Sequence, residues 1–318
     1  MGACLTNNTV VGKLQYRSFH LGHIPVLITP ELLGYALARE EIKSGENEAT
    51  SEVHDPFIIG AQHVSLLDDV FEQCKGSYDT GIHCFRDSRE GWFCFCGKEG
   101  KWFPVALRCD YDMKRYTACL LSSSLQKHPY SYSLDGKPYV DIFSIGRIGL
   151  LLFASIAVYS SGFIVHGALL QDEQSRGILI CGYSGSGKTT IASKLAAQGY
   201  RVIHDDRVVI YCLEQDKYIA YPLHWDARGN STPSKGVPIE RLFFLDRKEG
   251  NESDISRVPQ HIAYHLVAGY IFYYRTLCRH HSQAVNVLAH CVAHLPAYQI
   301  YHALKDSKIN ERIAGCFE

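Results

Sequence analysis

The residues best able to do chemistry fall in one stretch, between His166 and Gly229. Gly182-Tyr-Ser-Gly-Ser-Gly-Lys188-Thr189 sits between a short apolar run, Gly177-Ile-Leu-Ile-Cys181, and a segment with helical spacing. Its glycines let the backbone curl so that successive N–H groups point at phosphate oxygens, and the helix that follows adds its positive end. Lys188 can then reach the β and γ phosphates, and the Thr189 hydroxyl can ligate Mg²⁺. The expected cradle is Gly182, Ser184, Gly185, Ser186, Gly187, Lys188, Thr189 and Thr190, with ATP and Mg²⁺ as its cofactors.

Seventeen residues after Lys188 stands Asp205-Asp206, at the end of the apolar stretch Arg201-Val-Ile-His204. In a doubly wound sheet the end of the next strand lies beside the phosphate loop, which would turn both carboxylates toward the γ-phosphate. One can hold Mg²⁺ while the other accepts the proton of an attacking hydroxyl, the division of labour that phosphoryl transfer needs. His166, in Phe163-Ile-Val-His166-Gly167, ends a strand expected to neighbour the loop strand. It reads either as a partner of one aspartate or as a satisfied core histidine. Leu223-His-Trp-Asp226-Ala-Arg228-Gly229 offers Asp226 as a metal contact and Arg228 as a neutraliser of phosphoryl charge, or else a surface ion pair.

Positioning these groups requires strands and helices in alternation, and the texture of the chain changes to that pattern near residue 145. Residues 189–198 have helical spacing, with Ile191 and Leu195 facing inward and Gly199 closing the helix. Upstream, apolar runs at 82–85, 91–96, 102–107 and 139–143 read as strands joined by antiparallel hairpins, with turns such as 97–100 and Asp135-Gly136 between them. A helical pattern at 31–39 and a polar loop at 43–52 precede them. The expected division is a strand-rich part, 1–144, for recognition or support, and a catalytic domain, 145–318.

Composition narrows the field. The 318 residues are 46% hydrophobic and 20% charged with a net charge of -1, which supplies no basic field for nucleic acid. The twelve cysteines are scattered, with no secretory leader, and read as reduced thiols of a cytoplasmic protein. Cys94 and Cys96 form a CxC that alternation sets on one strand face, packing as small apolar groups. The stretch 148–170 carries no fixed charge, yet Ser160-Ser161-Gly162 interrupts it, so a helix to Tyr159 and a buried strand from Phe163 explain it without a membrane span. Met1-Gly2-Ala-Cys4-Leu-Thr6 fits an N-myristoylation pattern. His261/His265 and His290/His294, each spaced i, i+4, would suit zinc but lack further ligands in a recognisable motif.

Taken together, Val165-His166-Gly167, the loop 182–189, Gly199-Tyr-Arg-Val-Ile-His-Asp205-Asp206 and Asp226-Ala-Arg228-Gly229 resemble, in order and spacing, the HPr kinase/phosphorylase family. The resemblance implies an α/β fold with the phosphate-loop core shared with ATP-dependent phosphoenolpyruvate carboxykinases, here behind a strand-rich N-terminal α+β part. It implies Asp205 as the base, held by His166, with Asp206, Thr189 and Asp226 around Mg²⁺ and Lys188 on the phosphates. The expected partner is a peptide or protein bearing a serine hydroxyl, and multimers in the family imply a homo-oligomer. The match spans about residues 145–245. It departs at Thr190, where the family has an acidic residue, and at Asp226, where it has a glutamate, which puts the reverse dephosphorylation in question. In layout, and in a C-terminal segment resembling Leu295-Pro-Ala-Tyr-Gln-Ile300, the chain is similar to HPr-kinase-like proteins that phosphorylate lasso-peptide precursors. Two other readings stand beside it: a small-metabolite kinase, and a nucleotide-binding regulator that needs no base.

Overall fold

A computed structural model describes residues 6–11, 14–21, 24–29, 32, 57–74, 82–86, 90–96, 101–110, 114–121, 131–134, 137–142, 146–213, 217–223, 236–272, 278–303, 306 and 308–317. The expected helix at 31–39 apart from Leu32, the loop at 43–52, the turns at 97–100 and 135–136, Gly2 and Cys4, and the candidate residues Asp226 and Arg228 lie outside them. The described residues form two compact units that divide between Ile156 and Ala157, inside one helix.

The first unit is built on β1 (Thr6–Val11), β2 (Leu14–Leu21), β3 (Ile24–Ile28), β4 (Phe57–Val64), β5 (Ile82–Arg86), β6 (Glu90–Cys96), β7 (Trp102–Asp110) and β8 (Arg115–Leu121). Their order across one sheet is β1-β2-β3-β4-β8-β7-β6-β5. The expected hairpins are present from β5 to β8, all antiparallel. The sheet is nevertheless mixed, because β4 runs parallel to both β3 and β8. A short helix, α1 (Asp68–Cys74), covers one face, burying Phe71 and Cys74 with Cys94, Ala106 and Cys119, while Phe71 stacks on Trp102 at 5.1 Å. Cys94 thus packs as a small apolar group. The ladder to β7 shifts register between Cys94 and Cys96, with the extra residues on β7, and Cys96 is only half-buried. A separate hairpin pairs β9 (Ser131–Leu134) with β10 (Lys137–Val140).

The uncharged stretch 148–170 divides as its sequence suggests. Helix α2 (Gly146–Tyr159) ends in a turn where Ser161 takes φ 57, and β11 (Gly162–Gln171) follows. Among the described residues no helix is long and apolar enough to cross a membrane.

The second unit continues with β12 (Gly177–Cys181), helix α3 (Lys188–Ala196), β13 (Arg201–His204), β14 (Arg207–Cys212), β15 (Tyr218–Pro222), β16 (Val237–Arg247), β17 (Asp254–Arg257), α4 (Gln260–Ala268), β18 (Ile271–Phe272), α5 (Cys278–His294), β19 (Ala297–His302) and α6 (Ile309–Ala314). β12 is buried along its whole length because both its faces are covered. Leu179 and Cys181 face a core closed by Val267 of α4 and Leu288 of α5, while Ile178 and Ile180 face Ile191 and Leu195 of α3 and Ile309 of α6. Gly199, at φ +94, ends the α3 segment in the left-handed conformation that its residue type favours.

One expectation fails here. The strand that carries Asp205-Asp206 is not the neighbour of the loop strand in a doubly wound sheet. β11 lies between them, antiparallel to β12 on one side and to β13 and β14 on the other. The cause is the tight connection at 172–176, where the Asp172 N–H donates to the Arg176 carbonyl, the Asp172 carboxylate accepts the N–H groups of Gln174 and Arg176, and Ser175 takes φ 66. A link that short can join only antiparallel strands. The parallel neighbour of β12 is instead β16.

Candidate active site

The strand order brings four segments to one edge. The loop leaves β12 after Cys181, and β16 runs parallel to β12 with Phe244 opposite Cys181, so Asp246 and Arg247 emerge beside the loop. In the antiparallel pairing Gly167 faces Cys181, which sets His166, in the middle of β11 rather than at its end, level with the first loop glycine. β13 and β14 pair with the two halves of β11, and Asp205-Asp206 forms the bend between them. The Gly167 N–H fixes that bend by donating to the Asp206 carbonyl at 3.0 Å.

These segments line a cleft of about 910 Å³, the size of a small-molecule site, with Ser184, Gly185, Gly187, Lys188, Thr189 and Thr190 on the loop side and His166, His204, Asp205, Asp206, Arg207 and Arg247 around it. Gly187 takes φ +103 as the N-cap of α3, so the chain turns into the helix with the first N–H groups facing the cleft end. Lys188 is buried, and its ammonium donates to the carbonyls of Gly182 at 2.6 Å and Tyr183 at 3.0 Å. Burial lowers its pKa, against the pull of Cys181, Asp206 and Asp205. The Cys181 thiol beneath is pushed up to about 12 by burial, so it is a packed apolar group.

The two aspartates part company at the bend. Asp205 Oδ2 lies 3.5 Å from Thr189 Oγ1. Asp206 turns the other way, with Oδ1 3.6 Å from His166 Nε2 and Oδ2 3.1 Å from Arg207 Nη1. The resemblance had implied a pairing of His166 with Asp205, and of Asp206 with Thr189. In the structure both pairings are exchanged, because the bend at 205–206 turns the two neighbouring side chains apart. Burial lowers the His166 pKa, Lys188 and Arg207 lower it further, and Asp206 opposes them, so the imidazole is neutral at pH 7.

Thr189 and Asp205 fit a divalent cation. Adjacent oxygens around Mg²⁺ stand about 2.9 Å apart given Mg–O distances near 2.1 Å, so a small side-chain rotation brings this hydroxyl and carboxylate onto one ion. Phosphate oxygens and water complete such a shell, and Mg²⁺ is seldom held by a full protein cage. No group of three or more His, Cys, Asp or Glu side chains set to hold a metal occurs among the described residues. The two histidine pairs lie on α4 and α5, where the Nδ1 of His290 meets the Tyr218 hydroxyl and that of His294 donates to the His290 carbonyl at 2.8 Å.

Two cations of the cleft escaped the sequence reading. Arg207 lies against Asp206 and over the Phe272 ring at 5.5 Å. Arg247 reaches across the loop, its Nη2 4.0 Å from the place a β-carbon on Gly185 would take. The signal for Arg247 was present in its position just past the apolar run Leu242-Phe-Phe-Leu245, since charged residues at the C-terminal ends of parallel strands face the ligand side of such sheets.

No family model matches the chain. Over 71 residues, 22% of each chain, it is 38% identical to the HPr kinase/phosphorylase of Streptococcus pyogenes. Over 73 residues, 23% of this chain and 22% of the other, it is 41% identical to the HPr kinase/phosphorylase of Enterococcus faecalis. The chain thus aligns with about a fifth of the length of these curated relatives. Among solved structures, the Hpr(Ser) kinase/phosphatase from Coxiella burnetii overlays 48% of this chain and 95% of its own, at 12% identity and a TM-score of 0.28. The chain has a distant and partial similarity to HPr kinase/phosphorylases.

Proposed function

We propose that this chain is an ATP-dependent phosphotransferase that moves the γ-phosphoryl group to a hydroxyl, that of a serine in a peptide or protein. The observation that carries the reading is the split between the neighbouring aspartates: Asp205 faces the Thr189 hydroxyl, and Asp206 faces His166 and Arg207. A binding protein has no need of the second carboxylate.

In this reading Lys188 exchanges the Gly182 and Tyr183 carbonyls for phosphate oxygens, and Arg247 neutralises charge from the opposite side of the loop. Thr189 and Asp205 would hold Mg²⁺, which would supply charge shielding of the phosphates. Asp206 accepts the proton of the acceptor hydroxyl as that oxygen bonds to the γ-phosphorus and the bond from phosphorus to the bridging oxygen of ADP breaks. Arg207 and His166 aim the Asp206 carboxylate. Asp226 keeps the metal contact that the resemblance implies, and Arg228 the neutralising of phosphoryl charge read from its residue type.

The named relatives are kinases of a protein, which favours a macromolecular acceptor over a metabolite. Within that class we favour a ribosomally made precursor peptide, on the likeness in layout and in residues 295–300 to the kinases of lasso-peptide precursors. The test is incubation with Mg-ATP and candidate acceptors, a precursor peptide first, followed by mass spectrometry. Phosphoserine on the peptide is the expected result. Phosphorylation of small hydroxyl compounds alone would turn the reading to a metabolite kinase, and nucleotide binding with no acceptor ever modified would turn it to a regulator.

A further inference from the structure

Below the loop, on the side away from the cleft, lies a buried polar chain that phosphoryl transfer does not use. His302, at the end of β19, is 1% exposed, Ser253 0% and Asp306 4%. The Asp306 carboxylate accepts the backbone N–H groups of Ser253 and Lys308, each at 2.8 Å, and draws on the Ser253 hydroxyl as well. A hydroxyl proton goes to a carboxylate in preference to a neutral acceptor. The Ser253 oxygen then accepts from two donors, the Ala303 N–H at 3.0 Å and Nδ1 of His302 at 3.3 Å. With the Ser253 proton directed to Asp306, the ring proton sits on Nδ1 and Nε2 is left as a bare acceptor.

That acceptor is buried and has no partner among the described residues. It adjoins the loop: Cδ2, the ring carbon bonded to Nε2, is 3.6 Å from where a β-carbon on Gly187 would stand. The residue before Gly187 carries the complementary group. Ser186 is buried, and its hydroxyl too is without a partner, packed instead over Gly182, where a β-carbon would approach it to 2.5 Å. Buried polar atoms are nearly always satisfied, so one unmatched donor and one unmatched acceptor on either side of a single loop corner call for an explanation.

We propose that His302 is a positioning residue of the phosphate loop, and that in the nucleotide-bound loop the Ser186 hydroxyl donates to His302 Nε2. The proposal rests on the reading of the loop as a nucleotide site. In the present geometry Lys188 clamps the Gly182 and Tyr183 carbonyls and so holds in place the glycine under Ser186. Phosphates draw the ammonium away. Gly182 is then free to shift, Ser186 can rotate toward His302, and one bond satisfies both orphans. His302 is itself anchored from behind, because its carbonyl accepts the Lys248 N–H at 3.0 Å and Lys194 of α3 donates to the Asp306 carbonyl at 2.8 Å.

A double-mutant cycle on Mg-ATP affinity tests the bond, with Ser186→Ala, His302→Phe and the pair. Each single change is expected to weaken binding about tenfold, and the pair by no more than either alone. Multiplying effects, or no effect from Ser186→Ala, overturn the proposal. Should His302→Phe fail to fold, the ¹⁵N resonance of His302 Nε2 answers instead. It moves on addition of Mg-ATP to the wild type and stays in place in Ser186→Ala saturated with Mg-ATP, and equal movement in both proteins would refute the bond. Wild type that binds no Mg-ATP defeats the nucleotide reading itself, whereas wild type that binds it with an additive cycle defeats only this inference.

Discussion

Asp205 and Asp206 are the same residue type, adjacent in sequence and lining one cleft, yet they stand in different chemical surroundings. Asp205 faces a hydroxyl at the start of α3, the surroundings of a metal ligand. Asp206 lies between a neutral imidazole and a guanidinium, which orient it. What separates them is the bend between β13 and β14, held by the Gly167 N–H on the Asp206 carbonyl. The surroundings of each carboxylate thus follow from the strand pairing of β11 and not from the residue pair itself.

Replacing each aspartate by asparagine should break this symmetry in opposite directions. Asp206→Asn is expected to lower the rate of phosphoryl transfer about 10²- to 10⁴-fold, the usual contribution of a general base, with Mg-ATP affinity unchanged in a direct binding assay. Asp205→Asn is expected to weaken Mg-dependent nucleotide binding roughly tenfold and to recover part of its activity as Mg²⁺ is raised, which Asp206→Asn does not. Arg247→Ala sharpens the comparison from the phosphate side. It removes a charged partner from the loop and should raise the KM for ATP by about tenfold while leaving the acceptor KM in place.

The smallest effect is on stability. The folded-state pKa values of His166 and His302 are both lowered, chiefly by burial. Below pH 6.5 the unfolded chain therefore binds more protons than the folded one, and stability is lost as the pH falls from 6.5 through the folded values. Thermal melts at pH 7.5 and 5.5 should differ by a few degrees, on the order of 2–4 °C per kcal/mol for a chain of this size. His166→Gln should reduce that difference. A melting temperature that rises on acidification in this range would contradict the assignment of the half-buried His166 and the buried His302 as neutral rings.

The strand, glycine loop and helix at 177–198 were legible because their determinants are local and lie within some twenty residues. His166 and the aspartate pair were legible as candidates, since each sits at a charged or titratable position beside an apolar run. Their pairing was not, because it depends on β11 separating β12 from β13, a consequence of the short connection at 172–176. Arg247 and His302 were passed over for a related reason. They reach the loop only through parallel pairing of β16 with β12 and of β19 with β16, contacts that span tens of residues and leave no periodic mark. The first unit repeats the lesson: its hairpins followed from turns between apolar runs, whereas the parallel pairing of β4 with β3 and β8 had no local signal.

The most direct measurement is a single-turnover assay with γ-labelled ATP and a phosphorylated-serine readout, run on wild type, Asp206→Asn and Asp205→Asn at saturating Mg-ATP. Loss of transfer in Asp206→Asn, with Asp205→Asn retaining a rate that climbs with Mg²⁺, is the predicted result. Transfer that survives in Asp206→Asn and vanishes irrecoverably in Asp205→Asn would contradict the division of roles and return the base to Asp205.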